Sequence, residues 1–460
     1  MWNIMIQVVV PANPLVVRTL GPVKEKSGAQ KRRFTYSLRV ETDNVVLYYH
    51  VLTREMLAVP SGEEQSPDTL QYLWEHRFLV PAEKDDYLLV KQVRNAFELL
   101  GHRPLNPKSF VILTTTDCNA RCYYCFEKGC RRENMSPETA DRVAEYIEKH
   151  CCGERAVLSW FGGEPLYNKA AIDRICTRLA DDGQEYGSLM ITNGFLFDEE
   201  TVEHAISLWK LRRVQITLDG TEEVYNRAKN YIYPGVNAFR VVWENIDRLL
   251  TAGIQVHLRM NLSVYNAGDL LTLTEQLLDA FGDREGFTAY VSPLLEEFPG
   301  GAKQEEEKRR FISEFAHITE VLSAHSLLKP ERLKWGLPLN QCMADSGGSV
   351  VILPNGDLTL CEQIPASDIV GRIDSDIIDQ EVIDRWRERY PETETCRRCM
   401  KFPECVLIRL CPNGRPCELR NTEALKRNME KAVLNEYRLW KEKDRTKKEE
   451  TIEFVEGERC

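Results

Sequence analysis

The sequence lacks the long apolar run that a membrane-spanning helix requires. No stretch of about 18 or more apolar residues occurs in the chain, so we expect no transmembrane segment. The N-terminal stretch "MWNIMIQVVVPANPLVV" is apolar, but it has no positively charged leading region and is interrupted by two prolines. These features argue against a secretory signal and favour a cytoplasmic protein.

A surplus of basic residues is also missing. The 60 Lys and Arg residues face 71 Asp and Glu residues, which gives a formal net charge of −11. General nucleic-acid binders carry an excess of positive charge, so we expect no nucleic-acid partner. At 460 residues the chain is too long for one small core, and we expect several domains.

Cysteine, in contrast, is abundant, with 15 residues. In a chain without an export signal these thiols stay reduced, so we do not expect a disulfide framework. Three of them are Cys118, Cys122 and Cys125, and seven lie between Cys342 and Cys417. Thiols clustered at short spacing indicate bound metal.

The middle of the chain alternates between strand and helix patterns. Six strand–helix units follow one another from Ser109, which predicts parallel strands with helices packed outside them. We therefore expect an α/β fold, a partial (β/α)6 TIM-like barrel over residues 105–300. In such barrels the functional loops lie at the carboxyl ends of the strands, and the first cysteine run directly follows the first strand.

The remaining segments are predicted to flank this barrel. Residues 1–104 contain two β-rich runs joined by "ETDN", which predicts a hairpin, followed by two helical stretches. This winged-helix-like α+β module suits recognition of a leader peptide, or it only covers the barrel edge. We further expect a helical linker at 301–338, a cysteine-rich domain at 339–425, and a C-terminal helix and tail at 426–460.

The run "TTTDCNARCYYCFEKG" offers three thiols, whereas a structural zinc or an ordinary iron–sulfur cluster takes four protein ligands. Three thiolates on a cubane cluster leave one iron open. S-adenosylmethionine (SAM) has an amino group and a carboxylate that can fill this position, and its sulfonium can accept an electron. A zinc knuckle is the alternative interpretation of the same three cysteines.

The run "CNARCYYC" resembles the CxxxCxxC signature of the radical SAM enzymes. The resemblance implies that Cys118, Cys122 and Cys125 bind a [4Fe–4S] cluster and that Tyr124 lies against the adenine of SAM. "FGGEP" resembles the family's GGEP motif, whose backbone holds the methionyl ammonium. That motif corresponds here to Gly162, Gly163, Glu164 and Pro165.

Further matches occur at the ends of later strands. "TNG", which contains Asn193, ends the third strand, and "ITLDG" places Thr217 where the family has a Ser that contacts the ribose. For the SAM carboxylate this sequence offers Arg227 or Lys229. "RMN" gives a weaker match that ends at Asn261. The joint occurrence of these motifs at successive strand ends identifies a radical SAM core.

The second cysteine region resembles the SPASM extension of radical SAM enzymes, which carries two auxiliary [4Fe–4S] clusters. By resemblance, the cluster farther from the barrel is held by Cys396, Cys399, Cys405 and Cys417. The nearer cluster is held by Cys342, Cys361 and Cys411. Because seven cysteines are one short of eight ligands, we expect an open iron that binds substrate. A pair of zinc ribbons is the alternative for this region.

Glu362 directly follows one of these cysteines. In the sulfatase-maturing branch of the family, an acid in this place takes a proton from the substrate. The resemblance therefore makes Glu362 a candidate catalytic base, and a solvated surface glutamate is the alternative.

The resemblance implies SAM and three [4Fe–4S] clusters as cofactors. We predict a radical SAM maturase of a ribosomally made peptide (a RiPP maturase) that installs a cross-link, with a cysteine-to-carbon thioether as first choice. The expected partners are a precursor peptide with a leader and an external one-electron reductant of the flavodoxin or ferredoxin type. The alternatives are an anaerobic sulfatase-maturing enzyme, which makes formylglycine from Cys or Ser, and a non-catalytic zinc-binding scaffold.

Overall fold

A computed structural model describes most of the chain, in two compact units. The described residues are 6–21, 30–263, 265–294, 302–328, 333–334, 336–337, 339, 342–363, 368–412 and 422–457. Within these ranges every helix is too short or too polar to cross a lipid bilayer.

The first unit combines residues 1–103, 330–342 and 387–460. Its strands are β1 (Gln7–Val10), β2 (Lys31–Arg33), β3 (Ser37–Glu41), β4 (Val45–His50), β5 (Met56–Pro60) and β6 (Leu79–Pro81). Its first three helices are α1 (Pro14–Leu20), α2 (Pro67–Glu75) and α3 (Asp86–Gly101). The expected hairpin is confirmed, because β3 and β4 pair antiparallel with Ser37 opposite His50. Strands β1 and β5 extend the hairpin into a four-stranded sheet of order β1-β5-β4-β3.

The second unit combines residues 104–329 and 343–386. Its strands are β7 (Ser109–Thr115), β8 (Ala156–Gly162), β9 (Tyr186–Thr192), β10 (Leu211–Thr217), β11 (Gln255–Leu262), β12 (Phe287–Pro293), β13 (Ser349–Ile352), β14 (Asp357–Thr359) and β15 (Gly371–Arg372). Its helices are α4 (Pro137–Cys151), α5 (Lys169–Asp181), α6 (Glu199–Ser207), α7 (Glu222–Lys229), α8 (Ala238–Thr251), α9 (Asp269–Phe281), α10 (Ala302–Ala324), α11 (Met343–Ser346) and α12 (Gln380–Arg387). The last helix, α13 (Thr422–Gly457), belongs to the first unit.

Six parallel strands, β7 to β12, lie side by side in sequence order and confirm the predicted α/β fold. Parallel neighbours need a crossover connection, and the intervening helices supply it. Helix α4 illustrates why these segments are helical. Ser136 caps its first turn by accepting a hydrogen bond from Thr139 N at 3.2 Å, and Val143 and Ile147 are buried on one face. The carboxyl ends of the six strands meet at one edge, where the loops of interest begin.

The parallel sheet continues beyond β7 into the cysteine-rich region, which the sequence did not suggest. Strand β13 pairs in parallel with β7, with Ile352 opposite Ile112, and β14 and β15 follow antiparallel. Val350, Val351 and Ile352 are fully buried. Strand β13 thus covers an edge of the barrel sheet that would otherwise be open.

In the first unit, one apolar core joins the N-terminal module to the cysteine-rich segment. Tyr36 and Leu47 of the module share this core with Phe402, and Cys396 and Cys399 pack against it. Tyr36 and Cys396 are 360 positions apart in the sequence. The first unit is therefore built from both ends of the chain.

We expect Ile352→Ala to lower the free energy of unfolding by about 2–5 kcal/mol, because it removes buried methyl groups and leaves a cavity beside β7. Ile377→Ala is the matched control, since Ile377 is 80% exposed. Its effect should stay within about 0.5 kcal/mol. Urea denaturation followed by circular dichroism measures both variants. Equal effects would contradict the burial of β13 in the sheet.

Candidate active site

The first three cysteines lie on the loop that leaves the carboxyl end of β7. Cys118, Cys122 and Cys125 are each partly buried. The loop contains only turns, such as the hydrogen bond from Cys125 N to Cys122 O at 3.3 Å. Its position must therefore be fixed by contacts with the neighbouring strand ends.

Two glycines allow the main chain after β8 to press against this cysteine loop. A Cβ atom on Gly162 would lie 2.2 Å from Thr115 O, and one on Gly163 would lie 2.3 Å from Asp117 O. Gly162 also has a φ of +121°, a conformation that L side chains rarely adopt. Gly163 N donates to Thr115 O at 3.1 Å, and Glu164 N donates to Asp117 O at 2.9 Å. Both positions must therefore be glycine because the main chain there contacts the main chain of the cysteine loop.

The buried carboxylate of Glu164 links the end of β8 to the end of β9. It accepts hydrogen bonds from Thr192 Oγ1 and from Asn193 N, both at 2.8 Å. Burial raises the pKa of Glu164 to about 7, although these hydrogen bonds favour the charged form. Asn193 Nδ2 in turn donates to Asn119 Oδ1 at 2.7 Å and lies 3.8 Å from Cys118 Sγ. Glu164 thereby positions the amide that contacts the first cysteine.

A buried polar network joins the cysteine loop to the ends of β10 and β11. Lys229 Nζ lies 3.0 Å from Asp219 Oδ2, and these two side chains are only 4% and 2% exposed. The same ammonium donates to Thr217 Oγ1 at 2.6 Å and to Tyr124 OH at 2.7 Å. Tyr124 OH donates to Asp219, and Asn261 N donates to Asp219 Oδ1 at 3.3 Å. The structure thus brings together four predicted SAM-binding residues and one further acid.

The charges within this network compensate one another. Burial alone lowers the pKa of Lys229, but Asp219 and Tyr124 raise it well above the usual lysine value. Burial also raises the pKa of Tyr124 well above its ordinary value. These shifts favour the ammonium form of Lys229 and the neutral phenol of Tyr124, next to the side chain of Asp219. Such a set can bind a zwitterion, because it offers a partner to each charge of the ligand.

Of the two cations that the sequence offered for a carboxylate, only Lys229 faces the site. Arg227 is 71% exposed and lies 3.9 Å from the acid one turn earlier in α7. Lys229 is held against the cysteine loop through its main chain, because Arg121 N donates to Lys229 O at 2.8 Å.

Sequence reasoning missed three residues of this site, Asp219, Asn119 and Tyr231. Asp219 was signalled by its place in "ITLDG", and Asn119 by its place between the cysteines. Tyr231 OH lies 3.0 Å from Tyr225 OH and 3.5 Å from Asn193 O. No motif or spacing identifies Tyr231, since its place depends on how the chain turns after α7.

The three thiols of the cysteine loop suit an iron–sulfur cluster. Ala120 N donates to Cys118 Sγ at 3.3 Å, and the buried Asn119 Nδ2 finds no hydrogen-bond partner among the described residues. Burial raises the pKa of Cys118 to about 12 and also raises the pKa of Cys125. A bound cation reverses this preference for the neutral thiol.

No three His, Cys, Asp or Glu side chains of the described ranges are grouped as ligands of one metal ion. A cluster does not require such a grouping, because each cysteine binds a different iron atom.

In the first unit, Cys396, Cys399 and Cys405 follow one another along a succession of turns. Cys399 N donates to Cys396 O at 3.3 Å, and Cys405 N donates to Phe402 O at 3.2 Å. Thr393 N lies 3.4 Å from Cys396 Sγ and donates to it. A backbone N–H directed at a sulfur stabilises a thiolate, so this segment is compatible with metal binding.

The remaining predicted ligands divide between the two units. Cys342 and Cys411 belong to the first unit, whereas Cys361 and Glu362 follow β14 in the second. Glu362 is half-buried, and its Oε2 has no hydrogen-bond partner within the described part of the chain. Cys417 lies outside the described residues. The two cysteine sets assigned to auxiliary clusters therefore stay predictions.

Comparison with known proteins finds similarity in the part of the chain that contains this site. Residues 112–277 match the model of the Radical SAM superfamily. The probable GTP 3′,8-cyclase of Methanococcus maripaludis (strain C6) is 28% identical over a segment that covers 25% of this chain. That of Methanococcus vannielii is 29% identical over a segment that covers 24% of this chain. The chain spans only 38% and 36% of the length of these relatives.

Two solved structures of anSMEcpe share the fold. Native anSMEcpe with bound AdoMet has a TM-score of 0.53 at 14% identity, over 72% of this chain and 99% of that chain. Native anSMEcpe with bound AdoMet and Cp18Cys peptide gives 0.52 at 15% identity, over 73% and 99% of the two chains. Streptococcus suis SuiB bound to S-adenosylmethionine gives 0.44 at 12% identity, over 80% and 95% of the two chains. At these identities the likeness concerns the fold alone. The similarity to the Radical SAM superfamily covers residues 112–277, which include the cysteine loop and the carboxyl ends of β8 to β11.

Proposed function

We propose that this chain is a radical SAM maturase that installs a thioether cross-link in a ribosomally synthesised precursor peptide. The observation that carries the proposal is the contact between the cysteine loop and the buried network of Lys229, Asp219 and Tyr124. The loop offers three thiols for a cluster with one open iron. The network offers charged and polar groups for the ligand of that iron.

The side chains of the site then have distinct roles. Cys118, Cys122 and Cys125 would hold a [4Fe–4S] cluster, and this cluster would supply the one-electron chemistry for reductive cleavage of SAM. Lys229 is the proposed partner of the SAM carboxylate, and Thr217 is the proposed partner of the ribose. Both are already oriented by the hydrogen bond between them at 2.6 Å.

The proposed cross-link removes two hydrogens from the peptide. One leaves the attacked carbon as a hydrogen atom and ends in 5′-deoxyadenosine, and the other leaves the cysteine thiol as a proton. One electron would be released as the carbon–sulfur bond forms, and auxiliary clusters held by the second cysteine region would accept it. An external reductant of the flavodoxin or ferredoxin type supplies the electron for SAM cleavage. Glu362, whose Oε2 has no partner among the described residues, is the proposed proton acceptor.

A peptide substrate is supported by the fold, which resembles that of anSMEcpe solved with AdoMet and a peptide. The same likeness favours a second candidate function, conversion of Cys or Ser in a protein to formylglycine. Both candidates use the same SAM site, so they differ in the product and not in the first step.

We expect Cys118→Ala, Cys122→Ala and Cys125→Ala each to abolish SAM cleavage and to lower the iron content by about four per chain. Cys130→Ala is the matched control, because Cys130 is an exposed cysteine five positions beyond the run. Anoxic protein is analysed for iron, sulfide and zinc. Formation of 5′-deoxyadenosine is then measured with dithionite and SAM. Unmodified protein that contains zinc without iron or sulfide would instead support the zinc-binding scaffold.

We expect Lys229→Met to raise the dissociation constant for SAM by about 10- to 100-fold. The reason is that a hydrogen bond to a charged group contributes about 1.5–3 kcal/mol. Arg227→Met should leave the constant unchanged, since that side chain is exposed and outside the network. Equilibrium binding of SAM to the reconstituted proteins measures both variants, with thermal unfolding as a check that the folds match. An equal loss of affinity in the two variants would contradict the assignment of Lys229.

Co-expression with a short cysteine-bearing peptide encoded beside the gene should yield a product two hydrogens lighter than the unmodified peptide. A thioether product should also resist thiol alkylation and fail to react with hydrazides. Mass spectrometry after each treatment distinguishes the candidates, because formylglycine is an aldehyde and reacts with hydrazides. A hydrazide-reactive product would replace the cross-linking proposal with the second candidate.

A further inference from the structure

The loop that carries Cys396, Cys399 and Cys405 has little regular structure of its own. It contains only two short 3-10 turns, Glu394–Arg397 and Phe402–Glu404. Turns of this length have few internal hydrogen bonds and do not fix a backbone by themselves. The contacts that order the loop must therefore come from elsewhere in the first unit, and three buried side chains of the N-terminal module provide them.

Tyr36 binds the first part of the loop. Its side chain is fully buried, and its hydroxyl lies 3.2 Å from both Cys396 O and Arg397 O. Its ring lies 5.9 Å, centroid to centroid, from the ring of Phe402. One residue of the module therefore contacts the loop at both of its turns.

Arg94, on α3, binds the second part of the loop. Its side chain is buried, with Nη1 donating to Phe402 O at 2.6 Å and Nη2 donating to Cys405 O at 2.8 Å. The guanidinium also lies 4.6 Å from the centroid of the Phe402 ring. A planar fork with two donors matches two carbonyls in a way that a single ammonium does not.

An ion pair fixes the residue just before Cys405. Arg54 Nη2 lies 2.5 Å from Glu404 Oε2, and the two side chains are 2% and 8% exposed. Arg54 Nη1 also donates to Tyr49 OH at 2.8 Å, which anchors the guanidinium in the module. Lys401 of the loop also pairs with Glu404, so Arg54 is one of two cations that hold this buried carboxylate.

We propose that the N-terminal module is the template on which Cys396, Cys399 and Cys405 are set for metal binding, with Arg94 as the main positioning residue. The inference rests on the proposed function, because the auxiliary cluster is itself part of that proposal. It gives the module a second role, independent of any leader peptide. Its physical basis is that four carbonyls and one carboxylate of the loop are bound by side chains of the module.

The test uses the full chain carrying Cys118→Ala, Cys122→Ala and Cys125→Ala, so that the remaining iron reports on the auxiliary clusters alone. In this background we expect Arg94→Met to lower iron and sulfide from about eight to about four per chain after anoxic reconstitution. Arg94→Lys keeps the positive charge but cannot donate to both carbonyl oxygens at once. We expect this variant to retain an intermediate amount of iron and sulfide.

Lys91→Met is the matched control. Lys91 lies on α3 one turn before Arg94 and is partly exposed, and its ammonium pairs at 2.7 Å with Glu392, which precedes the first turn of the loop. We expect this variant to retain all of the auxiliary iron. The electron paramagnetic resonance spectrum of each reduced protein provides a second readout. One of the two auxiliary signals should be lost from Arg94→Met, weakened in Arg94→Lys and unchanged in Lys91→Met.

Arg94→Met protein that folds and keeps the same iron, sulfide and spectrum as the control would overturn the template. If Arg94→Met fails to fold, Tyr36→Phe decides, because it removes only the hydroxyl that binds the loop. If folded Tyr36→Phe protein has an unchanged iron content per chain, the result counts against the proposal. A lower iron content per chain supports it. Absence of auxiliary iron from the parent protein is a different result, since it would refute the auxiliary clusters of the proposed function.

Discussion

The cysteines proposed to bind the first cluster and those of the 396–405 segment lie on irregular loops, and such a loop is only as well ordered as its contacts with the rest of the protein. In the first cysteine run this ordering comes from main-chain contact. Gly162 and Gly163 permit an approach to Thr115 and Asp117 that any Cβ would prevent. The adjoining Glu164 then fixes the end of the next strand through its buried carboxylate. The geometry of the site therefore depends on close backbone packing between the ends of β7 and β8.

Each of the two cysteine loops contacts a buried cation, but the partners of the two cations differ. Lys229 occupies the first site with its carboxylate partner beside it, so the site is polar and electrically balanced before any ligand binds. At the second cysteine region, Arg94 of α3 contacts the cysteine loop through the carbonyl oxygens of Phe402 and Cys405. In both places a buried cation is tolerated because it has several hydrogen-bond partners.

The barrel and most of its site were predictable because their signals are local. Strand and helix periodicities identified β7 to β12, and short motifs at the strand ends identified Tyr124, Thr217 and Asn261. The choice between Arg227 and Lys229 stayed open because it depends on which face of α7 is buried. Tyr225 and Lys229 are four residues apart and both buried, whereas Arg227 is on the exposed side.

Contacts between segments that are far apart in the sequence could not be predicted from local sequence patterns. The run "SVVI" in β13 is too short to show a period, and nothing in its composition indicates β7 as its partner. The common core of the first unit was missed for the same reason, since Tyr36 and Phe402 meet only through the folded chain. Both misses concern contacts between segments that are separated by hundreds of residues.

The pairing of β7 with β13 has a consequence for biosynthesis. Ile112 and Ile352 are 352 − 112 = 240 residues apart, so a ribosome that adds roughly 5–20 residues per second needs roughly 10–50 s to produce the second strand after the first. During that interval β7 has an unsatisfied row of peptide groups, which invites association with other nascent chains. Slow translation or an insufficient supply of chaperones should therefore reduce the yield of intact protein before any cofactor is inserted.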